Sequence, residues 1–394
     1  MEKLSYSLLE RQGYEGYLLK DAPERVLQFG EGAFLRAFAE DFIDQMNEKA
    51  GFNAKAVLVQ PRGGHPDTCA RFTEQDGLYT LLLRGREKGE AVSRKRIISC
   101  VSRCLDPKGD WQSVLDCAKN PDLRFIISNT TEAGIVFDPA CKAEDASALC
   151  RELGYQDDLP DTGEVFASWI IEGPQSIKAE LPFEKAGLPI RVVDDHVPYK
   201  QRKVRILNGA HTGFVPAAHL AGFKIVRDCM EEPVVRGFMN RLLYDEVIPT
   251  LSLDRKDLED FAASVADRFN NPYIDHALLS IALNSTSKWK ARVIPSLLDS
   301  VANTGKLPPC ITFSFAAYIA FYRDCPAQDD PWVLEFYQAH QGDSPAQLAR
   351  AVIRNERMWG GELAALDGFE EAVTDALERI GRLGAHEAMK ECLA

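Results

Sequence analysis

The stretch Arg25–Lys49, RVLQFGEGAFLRAFAEDFIDQMNEK, decides the fold. Arg25-Val-Leu-Gln-Phe29 is a short apolar run of strand type, and Gly30-Glu-Gly32 is a glycine turn. From Phe34 to about Lys49 apolar residues recur at helical spacing, at Phe34, Phe38, Phe42, Ile43 and Met46. Strand, glycine turn and helix form the opening unit of a doubly wound parallel sheet. Glycines at 30 and 32 let the backbone turn tightly and approach a pyrophosphate, whose charge then meets the positive end of the following helix. The third glycine of the dinucleotide fingerprint is absent, with Leu35 in its place. The pattern alone therefore fits a nucleotide turn and an ordinary strand-to-helix turn alike.

Outward from this unit, Ala56–Gln60 reads as a second strand ending in the breaker cluster Pro61-Arg-Gly-Gly64. Leu78–Leu83, Ile97–Val101 and Arg124–Ser128 are further strand candidates, with a helix at Trp111–Ala118 before the last. Asn129-Thr-Thr-Glu-Ala-Gly134 is a polar turn at the carboxyl end of a strand, where open α/β sheets bind ligands. A helix at Ala143–Leu153 and strands at Phe166–Ile171 and Ile190–Val193 follow, and beyond Pro198 the pattern is helical almost to the end. A complete second half needs about three strands, yet only some sixty residues separate Gly134 from Pro198. The predicted fold is α/β: a Rossmann-like parallel sheet with a shortened second half in residues 1–195, and a mainly α-helical domain in 196–394. The sheet should hold fewer than six parallel strands.

Composition narrows the function. With 394 residues, a net charge of −13 and no long Lys/Arg run, the chain lacks the basic face that nucleic acid requires, so a small-molecule ligand is expected. Met1–Leu19 lacks the apolar stretch of a signal peptide, and no window is apolar for long enough to span a bilayer; a cytoplasmic protein without a membrane partner is expected. Ten cysteines without a CxxC pair read as free thiols in a reducing compartment. Cys100 and Cys104 have ligand-like spacing, but no second pair completes a zinc site, and no metal is expected. Oligomeric state stays open.

Chemistry concentrates in Lys203-Val-Arg-Ile-Leu-Asn208-Gly-Ala-His211. On an α-helix Lys203, Asn208 and His211 fall at about 0°, 140° and 80°, over one broad face. A desolvated lysine can serve as acid/base, while an amide and an imidazole can hold an oxyanion. A solvated lysine beside an Asn-Gly turn and a capping histidine would read the same way. Arg268 in Arg268-Phe-Asn-Asn-Pro272, with His276 one further helical step away, and Lys288 to Arg292 offer fixed cations for an anionic substrate, or surface salt bridges. The second strand ends in Gln60-Pro61-Arg62 without an acid, so the fingerprint does not choose between NAD and NADP.

Taken together, Gln28–Phe38, Gln75–Thr80, Ser128–Gly134, Val193-Asp-Asp195 with Pro198-Tyr-Lys200, Lys203–Thr212, Arg268–Ile274 and Leu278–Asn284 resemble the mannitol dehydrogenase family of polyol-specific long-chain dehydrogenases. The similarity runs from about residue 22 to the C-terminus. It implies a metal-free, NAD(H)-dependent enzyme of hexuronate catabolism that interconverts tagaturonate and altronate by hydride transfer. A reductase of fructuronate or mannitol type, or a shortened homologue that binds a nucleotide or sugar acid without turnover, is the alternative. By the same resemblance Lys203 is the acid/base, and Asn208 and His211 hold the reacting oxygen. Phe29, Gly30, Gly32, Ala33, Phe34, Arg36, Asn129 and Thr130 bind the cofactor, and Arg268 and His276 the substrate. Ala33 stands where relatives usually carry Asn. Between Gly134 and Leu153-Gly-Tyr155 relatives carry a longer stretch, with a Cys-Glu and a Val-Asp-Arg motif, that is absent here.

Overall fold

The computed structural model describes residues 1–60, 67–129 and 143–393, with 143–146 by backbone alone. It divides into two compact units, Met1–Gly85 with Glu90–Asp194, and Arg86–Gly89 with Asp195–Ala394.

The first unit is built from β1 (Glu24–Phe29), β2 (Lys55–Val59), β3 (Tyr79–Glu87), β4 (Glu90–Ile98), β5 (Val101–Leu105), β6 (Phe125–Ser128), β7 (Asp161–Glu164), β8 (Trp169–Glu172) and β9 (Ile190–Val193). A parallel sheet runs in the order β5-β2-β1-β6, with Phe29 beside Val59 on one side and Ser128 on the other. Every residue of β2 is buried, as parallel strands covered on both faces require. Val26, Ala56 and Leu58 pack against Phe42, Ile43 and Met46 of the helix after the glycine turn. Leu27, Val57 and Val59 point the other way, onto Val114 and Cys117 of the helix Trp111–Cys117.

Among the described residues this sheet has four parallel strands, fewer than the six of a complete doubly wound fold. The β6 edge leaves Ile126 66% exposed, an apolar residue that a fuller sheet would cover. The alternating strand and helix pattern does not hold through the middle of the unit. β3 and β4 form a hairpin joined by Lys88 and Gly89, both at positive φ, and β7 pairs with β3 to make a separate sheet. The single strand expected at 97–101 is broken at Ser99 and Cys100. The Ser99 N–H and Oγ–H both donate to the buried Asp44 carboxylate at 3.0 Å, which diverts the chain from one sheet to the other. The short strand β7 is not foreseen by hydrophobic pattern, since Asp161-Thr-Gly-Glu carries none.

Free thiols throughout are likewise corrected. Cys69 and Cys104, thirty-five residues apart, form a disulfide because the helix Thr68–Glu74 packs on β5. The seven other described cysteines are free.

From Val197 onward every described regular element is helical. Pro309–Asp324 carries no charge before Arg323 and is buried without a break from Cys310 to Tyr322, the pattern of a helix surrounded on all sides. Phe315 lies at its centre, with ring centroids 5.0 Å from Trp289, 5.4 Å from Trp359 and 5.5 Å from Phe369. Phe315→Ala should cost about 3–5 kcal/mol, measured as a drop in the urea midpoint at unchanged slope.

Candidate active site

In the first unit the glycine turn is set by its backbone. Gly30 has φ +115°, open to glycine and costly for other residues, and its N–H donates to the Val59 carbonyl at 2.9 Å. Gly32 caps a continuous helix made of Ala33–Leu35, a π-helical Arg36–Glu40 and Asp41–Ala50. Among the described residues no side chain caps its N-terminus, and a Cβ placed on Gly32 would meet nothing within 4 Å. The first-turn amides of a helix have no intrahelical acceptor, and with no side-chain cap among the described residues they can face a phosphate group, so the residues present fit a dinucleotide pyrophosphate.

Phe29 and Phe34 are exposed beside the turn, and Ala33 opens the helix. Arg36 points inward: its guanidinium donates to the Leu159 carbonyl at 2.7 Å and lies 3.6 Å from Asp161. Asn129 follows β6 and is exposed; Thr130 lies outside the described residues. Glu31 is buried within the turn, burial pushes its carboxyl pKa up, and its Oε2 has no hydrogen-bond partner among the described residues.

Gly32→Val should weaken NADH binding at least about tenfold, which is roughly 1.4 kcal/mol. Its φ of −69° is ordinary and an added Cβ meets nothing within 4 Å among the described residues, so stability should stay near that of the parent. Calorimetric titration with NADH beside a thermal melt checks both expectations.

In the second unit Lys203–Asn208 is a π-helical segment continuing into the helix Gly209–Leu220. The Gly209 N–H reaches back to the Val204 carbonyl, five residues away. Such a turn closes between residues i and i+5 and holds more residues per turn than an α-helix, so Asn208 falls nearer the line of Lys203 than the 140° of an α-helix. His211, three residues further on α-helical backbone, continues that line. The wide turn aligns the three side chains more closely than the α-helical reading did.

His211 is held by packing. Its ring stacks on Phe269 with centroids 3.9 Å apart and planes at 15°, and meets His276 edge-on at 5.5 Å. Its Nε2 is buried and has no hydrogen-bond partner among the described residues. Burial, followed by the positive charges of His276, Arg268, Arg292 and Lys288, holds its pKa well below the ordinary value of 6.5. The ring is therefore neutral at physiological pH. Asn208 is half-buried, and Lys203 is exposed, so this unit does not supply the desolvation expected around the lysine.

Arg268 sits in the last turn of the helix Arg255–Phe269. His276 is not a further helical step, because that helix ends at Phe269, three residues before Pro272. The histidine lies on an exposed segment tied down by the Val226 N–H, which donates to the His276 carbonyl at 3.0 Å. Lys288 and Arg292 lie on one face of the helix Ser285–Arg292. The Lys288 ammonium donates to the Ile281 carbonyl at 2.9 Å, and burial lowers its pKa. Arg292 Nη1 lies 3.4 Å from the Thr212 hydroxyl, beside His211. Sequence reasoning did not find Phe269 as the support for His211, since an aromatic at a helix end carries no functional signal of its own.

Both halves have counterparts in known proteins. The mannitol dehydrogenase Rossmann domain matches residues 24–151, and the mannitol dehydrogenase C-terminal domain matches residues 195–381. The chain belongs to the mannitol dehydrogenase family, and it is an oxidoreductase of the dehydrogenase class. Among its relatives is the altronate oxidoreductase of Bacillus subtilis (strain 168), 36% identical and matched over 97% of this chain and 98% of the relative. That of Klebsiella pneumoniae (strain 342) is also 36% identical, over 93% and 96%. The Bacillus alignment runs over 474 residues against the 394 of this chain, so about eighty or more of its positions have no residue here.

Two solved structures share the fold. D-sorbitol dehydrogenase in substrate-free form has a TM-score of 0.80 at 20% identity, covering 94% of this chain and 96% of that one. Pseudomonas fluorescens mannitol 2-dehydrogenase in ternary complex with NAD and D-mannitol has a TM-score of 0.69 at 19% identity, covering 100% and 99%. Among the described residues no helix is long and apolar enough to cross a membrane.

Proposed function

We propose that this chain interconverts tagaturonate and altronate with NAD(H). The observation that supports the reading is the wide turn at Lys203–Asn208, which on backbone geometry draws Lys203, Asn208 and His211 toward one side of the helix, the last with a buried Nε2 that has no partner among the described residues. The 36% identity to altronate oxidoreductases over nearly the whole chain supports the substrate. The cations Arg268, Arg292 and Lys288 around His211 suit a substrate bearing a carboxylate.

The Gly30–Gly32 turn would hold NAD(H), which would supply or accept the hydride when bound. Lys203 gives the proton to the carbonyl oxygen during reduction and takes it back during oxidation. Asn208 donates to that oxygen through its amide. His211, being neutral, donates through a ring N–H without competing as an acid, which leaves the proton transfer to Lys203.

The test is NADH oxidation followed spectrophotometrically with tagaturonate, fructuronate and fructose in parallel. Preference for tagaturonate supports the reading, and preference for either of the others overturns the substrate. A chain that binds NADH and turns over none of the three would overturn the catalytic assignment of Lys203, Asn208 and His211.

A further inference from the structure

Beneath the glycine turn lies a buried chain of polar groups that the proposed reaction does not use. Gln28, at the end of β1, is fully buried, and its Nε2 donates to the Gly30 carbonyl at 2.8 Å and to Glu40 Oε1 at 2.7 Å. Glu40, at the end of the π-helical segment, is also fully buried. Its Oε2 lies 2.8 Å from the Tyr79 hydroxyl, which lies 2.8 Å from the Arg36 carbonyl as well. A phenol has one proton to donate. A carbonyl only accepts, so if the Tyr79 proton goes to Arg36, the short contact between Tyr79 and Glu40 needs a second proton. Only Glu40 can carry it. With Glu40 protonated on Oε2, every contact in the chain pairs a donor with an acceptor.

We propose that Glu40 is the positioning residue of the Gly30–Gly32 turn and that it works as a neutral carboxylic acid, donating to Tyr79 while Gln28 ties its other oxygen to the Gly30 carbonyl. The turn's backbone is thereby held before a cofactor arrives, and preorganised phosphate donors bind without a cost in ordering. The surroundings agree with a neutral acid. Burial raises the Glu40 pKa to about 7, against the hydrogen bonds from Tyr79 and Gln28. Arg36 on the same helix favours ionisation, and Asp161 on β7, itself pushed up to about 6 by burial, opposes it. Cys100, whose thiol donates to the Glu40 backbone carbonyl at 3.3 Å, is held neutral by burial.

As pH rises through this range Glu40 ionises, Tyr79 turns its proton to the carboxylate, and the Arg36 carbonyl loses the Tyr79 hydrogen bond. The buried negative charge also opposes an anionic pyrophosphate above it. NADH affinity should therefore fall between pH 6 and pH 8.5, by about three- to tenfold if the cofactor shifts the Glu40 pKa by up to one unit. E40Q should bind NADH as the parent does at pH 6 and lose the pH dependence. The glutamine oxygen accepts from Gln28 and its amide donates to Tyr79, reproducing each bond of the neutral acid.

The inference rests on the dinucleotide reading of the turn, so two measurements are paired. Infrared difference spectra of the parent minus E40Q at pH 6.5 should show the carbonyl stretch of a protonated carboxyl, with no cofactor present. NADH dissociation constants of the parent, E40Q and Gly32→Val are then titrated from pH 6 to 8.5. Absence of the protonated-carboxyl band overturns the assignment. So does an E40Q chain that fails to fold, binds NADH tenfold more weakly at pH 6, or keeps the parent's pH dependence. A parent that binds no NADH at any pH overturns the dinucleotide reading instead, while the infrared band still decides the state of Glu40.

Discussion

Lys203→Ala is expected to lower kcat with the sugar acid by about two to four orders of magnitude, the span a positioned acid/base contributes. NADH affinity should be almost unchanged, because the cofactor is assigned to the glycine turn of the other unit. The variant reads cleanly. Lys203 is exposed and its side chain makes no hydrogen bond or ion pair among the described residues, so its removal should alter stability by no more than about 0.5 kcal/mol. Steady-state kinetics in both directions, beside an NADH titration and a thermal melt, separate the contributions. A fall in kcat and kcat/KM by the same factor marks an interaction made in the transition state alone. Near-normal turnover would remove Lys203 from the chemistry and leave it a solvated lysine.

His211→Leu should lower kcat by about 10²–10³, the usual loss when one donor to a developing oxyanion is removed. Leucine keeps apolar contact with Phe269, so the packing that holds the native ring is largely retained. The substitution has a second consequence that does not depend on turnover. The folded-state pKa of His211 lies below that of the unfolded chain, so below about pH 6.5 the unfolded chain binds a proton that the folded ring refuses. Stability attributable to this residue is present above that range and lost as pH falls through it. The leucine variant should therefore lose less stability than the parent between pH 7 and pH 5, measured by urea unfolding at each pH. A variant with unimpaired turnover but the expected acid tolerance would leave His211 a buried core histidine.

Much of the architecture was legible along the chain because it rests on local periodicity. Arg25–Phe29, Ala56–Gln60 and Arg124–Ser128 are apolar runs bounded by breakers, and each lies in the parallel sheet within a residue or two. The shortened second half was legible from a count of residues between Gly134 and Pro198, and the four described parallel strands agree with it. The β3–β4 hairpin was not. Leu78–Leu83 reads as a strand whichever sheet it joins, and strand partners are set by contacts far apart in sequence. The diversion at Ser99 depends on Asp44, fifty-five residues away, which no local pattern signals.

The candidate site divides along the same line. Residue types and spacings alone singled out the glycine turn, the Lys203, Asn208 and His211 set and the cations at 268, 288 and 292 as candidates, because each depends on what the side chain is, while their roles came from the family resemblance. Three features came from folding. The π-helical turn brings Lys203 and Asn208 into line, since its hydrogen bonds close over five residues where sequence periodicity suggests four. The low basicity of His211 arises from burial against Phe269 and from charges on other helices. The elevated pKa of Glu40 follows from the helix after the glycine turn closing over β1 and β3, which removes its carboxyl from water between Gln28 and Tyr79. A side chain's chemical identity is carried by its own position in the chain, whereas its desolvation and its hydrogen-bond partners are set by residues that only packing brings near.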